Sequence, residues 1–139
     1  LSQAILLRFA ESGRLAAHAQ RVRESGAERL SAVLAACERH LPAGTSFTRP
    51  QGGMSLWVRL PEPLDAGELL SAAQRENVSY LPGSHFAISN YQRGTLRLSF
   101  GGLSPAYIEA GLERLGRVIH NELERARTAD MFAAAPAMV

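Results

Sequence analysis

Arg97 is the residue whose type and position most clearly suggest ligand chemistry. It lies in the alternating segment 96–100, Leu-Arg-Leu-Ser-Phe, which predicts a β-strand with apolar side chains on one face and Arg97 and Ser99 on the other. A guanidinium is planar, stays protonated at neutral pH and can donate two parallel hydrogen bonds to a carboxylate. A rigid strand would therefore hold Arg97 well for carboxylate binding. On the pattern alone, a solvated edge residue or an internal salt bridge remains the alternative.

Cysteine and histidine residues are weaker candidates for a metal site. Cys37 and His40 are three residues apart in a helical pattern, so both could bind one ion. A zinc site ordinarily needs four ligands, however, and His18, His85 and His120 are widely scattered along the chain. A structural cysteine and a surface histidine are the preferred interpretation, and no metal is expected.

Nucleophilic and phosphate-binding sites are also poorly supported. Ser84 and His85 are adjacent in a polar loop, but no acid accompanies them and the chain has no Gly-x-Ser-x-Gly segment. Gly52-Gly53 and Gly101-Gly102 are only pairs, whereas phosphate-binding loops are richer in glycine and open onto a helix. We interpret both pairs as turns.

The basic residues exclude one large class of chemistry. All fifteen residues counted as lysine or arginine are arginines, so the chain contains no lysine. Only a lysine side chain offers an amine that can lose its proton and form a Schiff base. Covalent catalysis by a lysine is therefore impossible within these 139 residues.

Composition indicates one globular domain and excludes several other classes of protein. The chain has 139 residues, 46% hydrophobic and 20% charged. A net charge of +2 does not by itself indicate nucleic-acid binding, and no apolar run approaches the roughly 20 residues that span a bilayer. A single cysteine, Cys37, excludes an internal disulfide and fits a reducing compartment.

Periodicity predicts the elements that position Arg97. We expect an α+β fold, in which a small antiparallel sheet of about four strands is covered by helices on one face. The segment 128–139 has no periodicity and is expected to be a flexible tail. The predicted helices are 1–11, 15–41, 66–76 and one that begins at 105, and the predicted strands are 45–49, 55–60, 78–81 and 96–100.

Three segments together resemble the class I/II aminotransferases, fold-type I enzymes that depend on pyridoxal phosphate. Residues 50–57, Pro-Gln-Gly-Gly-Met-Ser-Leu-Trp, resemble the Pro-x-Gly-Gly-x-x-x-Trp segment of that family. Residues 81–86, Leu-Pro-Gly-Ser-His-Phe, resemble its Pro-Gly-x-x-Phe loop. Residues 96–100 resemble the strand whose arginine binds the substrate α-carboxylate. The resemblance covers residues 1 to about 127 and implies the C-terminal small domain of that fold. It implies N-terminal and interdomain helices over 1–41 and the aminotransferase-like small domain over 42–127.

Within that superfamily the sequence is most similar to the MocR-type subgroup of GntR regulators. The similarity lies in the Gly-Arg-Leu segment at 13–15 followed by His18, in Leu-Arg-Leu-Ser-Phe-Gly-Gly-Leu at 96–103 and in Ala-Pro-Ala-Met-Val at 135–139. Such regulators fuse an N-terminal winged helix-turn-helix to an aminotransferase-like domain that senses an amine or pyridoxal phosphate. The resemblance implies a cytoplasmic homodimer that contacts DNA only through that N-terminal domain.

The resemblance also assigns roles to individual residues. Arg97 is expected to bind the carboxylate of an amino-acid ligand, and Pro82, Gly83 and Phe86 match the loop at the active-site mouth. The Gly52-Gly53 pair matches a structural turn. No catalytic, cofactor-binding or metal-binding residue is expected here, because the family's pyridoxal phosphate lysine and phosphate-binding residues belong to its large domain. The intact protein is expected to bind pyridoxal phosphate through that domain.

Three hypotheses about function remain open. The leading one makes the chain the effector-sensing domain of a regulator, joined to a large domain of the same polypeptide. The second makes it the small domain of a true amino-acid transaminase. The third makes it a free-standing α+β module that binds a small molecule or dimerises.

Overall fold

Four helices and four short strands follow one another in the order that the sequence pattern predicts. The computed structural model describes residues 1–88 and 92–133. The helices are α1 Ser2–Glu11, α2 Arg14–His40, α3 Ala66–Arg75 and α4 Pro105–Ala133. The strands are β1 Ser46–Phe47, β2 Ser55–Arg59, β3 Leu81–Pro82 and β4 Thr95–Ser99, and a 3₁₀ turn, Gly83–His85, follows β3 directly.

The strands form one antiparallel sheet in the order β1-β2-β4-β3. Arg97 on β4 lies opposite Trp57 on β2 and opposite Leu81 on β3. Because β4 has a neighbour on each side, Arg97 is on an internal strand. The alternative interpretation of Arg97 as a solvated residue on an edge strand is therefore wrong.

The hydrophobic core lies between one face of this sheet and the helices, which confirms the predicted α+β layers. Alternation along β2 and β4 turns Leu56, Val58, Leu96 and Leu98 towards the core. The same alternation leaves Trp57 and Arg97 on the opposite face, which we call the outer face. The helices cover the core face with Val33, Ala36 and Cys37 of α2, Leu69 and Ala73 of α3, and Ile108, Leu112, Leu115, Ile119 and Leu123 of α4.

Two strands are shorter than predicted, for a local reason in each case. The backbone N–H of Val78 donates to the Ala73 carbonyl (2.9 Å) at the end of α3, so the segment before β3 completes a helix terminus instead of joining the sheet. Val78 and Tyr80 are buried all the same, which produced the strand-like pattern. In β1, only Ser46 and Phe47 pair in register with β2, and Pro50 follows closely.

Helix α4 continues six residues beyond the predicted start of the C-terminal tail, because it extends through Ala133. Residues 134–139 of that tail lie outside the described residues, as do 89–91 of the loop before β4. None of the described helices is long and apolar enough to cross a membrane.

The helices α2 and α4 approach each other closely at Gly116. A side chain placed there would lie 2.1 Å from the His40 backbone carbonyl oxygen, so only glycine fits without a shift of one helix.

Cys37 on α2 is buried, and burial raises the pKa of its thiol to about 12. The thiol is therefore neutral at physiological pH. No group of three or more potential metal ligands occurs within residues 1–88 and 92–133.

Glu109 on α4 joins the same two helices through charge. Its Oε1 lies 2.7 Å from His40 Nε2 and also accepts a hydrogen bond from Arg39. The hydrogen bonds from His40 and then Arg39 lower the pKa of the Glu109 carboxyl. A carboxyl whose pKa is lower in the folded state stabilises the fold above its ordinary pKa of about 4.3, and that stability is lost as the pH falls through the folded value.

We expect Glu109→Gln to lower the free energy of unfolding at pH 7, with a difference from wild type that narrows as the pH falls below about 4. Urea titrations of both proteins at pH 7 and pH 3 measure it. Glu113→Gln is the matched control, because the ion pair that Glu113 makes among the described residues is with the exposed Arg117 on the same helix. A Glu109→Gln difference that stays constant between the two pH values would contradict the assignment.

Helix α1 and the first part of α2 carry several exposed apolar side chains. Helix α1 has no buried residue, and Ile5 and Leu6 on α1 and Leu15 and Val22 on α2 are exposed apolar side chains. Gly26 lies midway along α2, and no atom lies within 4 Å of a β-carbon placed there, so it does not mark a close helix contact. We call residues 1–25, which carry these exposed apolar side chains, the helical arm.

Candidate functional site

The candidate site lies on the outer face of the sheet and is built around Arg97. Three strands place a row of side chains across this face, with Leu81 and Trp57 on either side of Arg97. The alternation that buries Leu96 and Leu98 is what turns Arg97 outwards. The guanidinium is thus supported by a hydrogen-bonded strand on both sides, as a precise binding residue requires.

Phe86 covers the Arg97 guanidinium from above the sheet. The Arg97 Cζ lies 4.7 Å from the centroid of the Phe86 ring, within the range of a cation–π interaction. The Phe86 ring in turn meets the Trp57 ring edge-to-face, with centroids 5.3 Å apart and planes at 80°. We call Trp57 and Phe86 the aromatic pair. Together they surround one side of the cation with apolar surface.

Gly83 brings the loop that contains Phe86 close to β4. A side chain at Gly83 would lie 2.0 Å from the Thr95 hydroxyl oxygen and 2.8 Å from the Gln92 carbonyl oxygen. That hydroxyl donates a hydrogen bond to the Gln92 carbonyl at 2.8 Å, so the space is filled by an ordered contact. The absence of a side chain at Gly83 therefore allows the 3₁₀ turn, and Phe86 after it, to pack against the strand.

The positive charge of Arg97 has no carboxylate partner within the part of the chain that the structure describes. Its Nε is buried and makes no hydrogen bond. Partial burial of a cation without a counter-ion has a desolvation cost, which a bound anion would offset. The alternative of an internal salt bridge is thus not realised among these residues, and the site is suited to an anionic ligand.

A cleft of about 580 Å³ lies beside the aromatic pair, and Arg97 itself is not among its lining residues. Trp57 and Phe86 form part of its wall, and Arg59 and Gln92 also line it. That volume lies within the range of small-molecule sites. The cleft is therefore large enough to hold a small molecule next to the aromatic pair.

The structure brings together the four residues that the sequence selected. Pro82 on β3 pairs with Leu96 beside Arg97, Gly83 packs against Thr95, and Phe86 stacks on the guanidinium. Their role in ligand binding stays a prediction. Gly53 has a φ of 88° in the turn before β2, and a β-carbon placed there would meet no atom within 4 Å, as expected of a turn residue.

The remaining sequence candidates do not form a site. Ser84 and His85 lie in the exposed 3₁₀ turn, and no hydrogen bond joins them in the described residues. Trp57 is the site residue that sequence reasoning missed. Its signal was its place in β2 between the core residues Leu56 and Val58, which turns it to the same face as Arg97.

The residues present do not fit covalent attachment of pyridoxal phosphate. The chain has no lysine, and the described outer face offers Arg97 and Arg59 as its cations. No step of a pyridoxal phosphate reaction can therefore be derived from this chain.

Comparison with known proteins gives the family. The family model of aminotransferase class I and II matches residues 3–115 of the chain. The chain belongs to the class I and II aminotransferase family. The residues matched include all four strands, the aromatic pair and Arg97, so the candidate site lies within the part that this family shares.

Individual relatives of this aminotransferase-family chain include enzymes and regulators. It is 34% identical over 124 residues to aromatic-amino-acid aminotransferase 1 of Thermococcus litoralis, covering 89% of this chain and 30% of that protein. It is 34% identical over 116 residues to the probable rhizopine catabolism regulatory protein MocR of Rhizobium meliloti, covering 83% of this chain and 23% of the regulator.

A solved structure of the same family shows the same fold. The multiple substrate aminotransferase of Thermococcus profundus superposes with a TM-score of 0.82 at 34% identity, over 88% of this chain and 30% of that enzyme. The chain thus spans less than a third of the length of these relatives.

Proposed function

We propose that this chain is the small domain of an aminotransferase-fold protein and that Arg97 binds the α-carboxylate of an amino-acid ligand there. The observation that supports this most strongly is the unpaired Arg97 guanidinium on an internal strand, stacked on Phe86. A planar cation with free terminal nitrogens matches the two oxygens of a carboxylate. The adjoining cleft would receive the remainder of the ligand.

The rest of the site is proposed to come from a large domain of the same polypeptide. That domain would hold pyridoxal phosphate, which serves as an electron sink when bound. The exposed apolar residues of the helical arm, among them Ile5, Leu6 and Val22, are the surface we expect it to cover. Movement of the small domain against it would bring Arg97 over the ligand and exclude water.

For the intact protein we propose a regulator of the MocR type. In this proposal an amino acid or amine is the effector, a homodimer is the functional unit in the cytoplasm, and an N-terminal domain contacts DNA. The 34% identity to the MocR regulatory protein over 83% of this chain supports it, as do the family-like segments at 13–18 and 96–103.

A true transaminase is the second candidate. The identity to the aromatic-amino-acid aminotransferase is also 34%, over 89% of this chain, and supports it equally. Both candidates require Arg97 to bind a carboxylate. They differ in whether the ligand is turned over and in whether DNA is bound.

Two assays on the complete protein with pyridoxal phosphate separate the candidates. One follows amino-group transfer to 2-oxoglutarate from L-phenylalanine, a probe chosen because one relative is named an aromatic-amino-acid aminotransferase. The other follows binding to the DNA upstream of its own coding sequence. The regulator predicts DNA binding that weakens steeply with salt, together with negligible turnover. Sustained turnover without DNA binding would overturn it in favour of the enzyme, and failure of both assays would overturn both candidates.

A further inference from the structure

We propose that Phe86 is a positioning residue, which fixes the plane of the Arg97 guanidinium so that an anion can approach only along the edge of that plane. The inference rests on the proposed carboxylate-binding function of Arg97 and assigns a role to a second residue of the same site. The juxtaposition that carries it is the stack of the Arg97 Cζ on the Phe86 ring at 4.7 Å.

Stacking restricts the orientation of the guanidinium in a defined way. The negative face of an aromatic ring attracts the cation and favours a guanidinium that lies over it. The Phe86 ring is itself in edge-to-face contact with Trp57, with centroids 5.3 Å apart and planes at 80°, and we expect this contact to restrict its rotation. A Phe86 ring with restricted rotation would in turn restrict the orientation of the Arg97 guanidinium.

The position of Arg97 within the sheet further restricts the conformations of its side chain. Arg97 is flanked by Trp57 and Leu81 on the neighbouring strands, and its Nε is buried. The terminal nitrogens are then the donors that a ligand can reach. A carboxylate that accepts two parallel hydrogen bonds must lie in the plane of those nitrogens, so fixing the plane fixes the ligand.

The loop that contains Phe86 is itself held against the strand. Gly83 packs against Thr95 at a distance that no side chain would permit, and Thr95 is hydrogen-bonded to Gln92. The stack is therefore anchored on the strand that bears Arg97. Its height above the sheet is set by backbone contacts and not by the length of a flexible side chain.

Exposure distinguishes this role from a purely structural one. The Phe86 side chain is 49% exposed, although apolar residues that stabilise the core are almost fully buried. A large apolar residue at the surface adds little to folding. Replacement of Phe86 should therefore change the behaviour of Arg97 without unfolding the domain.

The test measures motion of the guanidinium and binding of a ligand in the same variants. The complete protein is labelled with ¹³C,¹⁵N-arginine, and rotation about the Arg97 Nε–Cζ bond is followed by NMR in wild type, Phe86→Leu and Phe86→Tyr, with the signal assigned by its loss in Arg97→Gln. We expect slow rotation in wild type and Phe86→Tyr, and rotation at least several-fold faster in Phe86→Leu. The affinity for L-phenylalanine should fall about fivefold to thirtyfold in Phe86→Leu and be restored in Phe86→Tyr.

A second phenylalanine–arginine stack provides a matched control. The Arg49 Cζ lies 5.0 Å from the Phe47 ring, so Phe47→Leu removes a second cation–π contact, one that does not involve Arg97. It should leave the Arg97 signal as in wild type. Thermal unfolding of each variant checks that the fold is kept.

The outcomes separate this proposal from the one on which it rests. Unchanged rotation and unchanged affinity in Phe86→Leu would overturn the positioning role. Faster rotation in Phe86→Leu, together with an affinity for L-phenylalanine that Arg97→Gln does not alter, would uphold the positioning role and overturn carboxylate binding by Arg97.

Discussion

Replacement of Arg97 by glutamine is expected to lower the affinity of the complete protein for L-phenylalanine by about 30-fold to several thousand-fold. Loss of one partner of a desolvated, hydrogen-bonded charge pair costs about 2–5 kcal/mol, which corresponds to this range. The effect is large because Arg97 is half-buried beside the aromatic pair, where water screens the carboxylate poorly. Isothermal titration calorimetry with both proteins measures it.

Two controls test whether the loss of affinity in Arg97→Gln is specific to the carboxylate of the ligand. Phenethylamine has the ring and the amine of phenylalanine but no carboxylate, so its affinity should be the same in wild type and in Arg97→Gln. Arg75 on α3 is a cation on the helical side of the domain, and Arg75→Gln should leave the affinity for L-phenylalanine unchanged. An equal loss for both ligands in Arg97→Gln would show that the variant disturbs the site in general.

The second large effect concerns the contact between α2 and α4. Gly116→Ala is expected to lower the free energy of unfolding by about 2–3 kcal/mol, because the added methyl group would lie 2.1 Å from the His40 carbonyl oxygen and would force the helices apart. Urea denaturation of the purified variant measures the change, and the slope of the transition reports whether unfolding stays cooperative.

Gly111 provides the control on the same helix. No atom lies within 4 Å of a β-carbon placed at Gly111, so Gly111→Ala should stabilise the protein by about 0.5–1 kcal/mol through helix propensity alone. The two substitutions are chemically identical and differ only in their surroundings. A stabilising effect of both would contradict the close approach of the helices.

The starts of the helices were predictable because their signals are local. Gly13 separates α1 from α2, and Asp65 accepts hydrogen bonds from the backbone N–H groups of Gly67 and Glu68 at the start of α3. The ends of the strands were less predictable from the sequence. Val78 and Tyr80 alternate as a strand would, but the first completes the end of α3 and the second donates its hydroxyl hydrogen to the Ala66 carbonyl.

The candidate site was predictable only in part, for a related reason. Alternation within five residues placed Arg97 on the outer face. The stack on Phe86 joins residues from an irregular loop and a strand, and the contact with Trp57 spans a further thirty or so positions of sequence. No periodic pattern encodes such contacts, because they depend on how the sheet closes and on the space left at Gly83.

The most direct test of carboxylate binding at Arg97 is a crystal structure of the complete protein with L-phenylalanine bound. We predict that both carboxylate oxygens lie about 2.7–2.9 Å from the terminal nitrogens of Arg97, in the plane of the guanidinium and below the Phe86 ring. A carboxylate bound by a different cation, with Arg97 paired to an aspartate or glutamate of another domain, would contradict it.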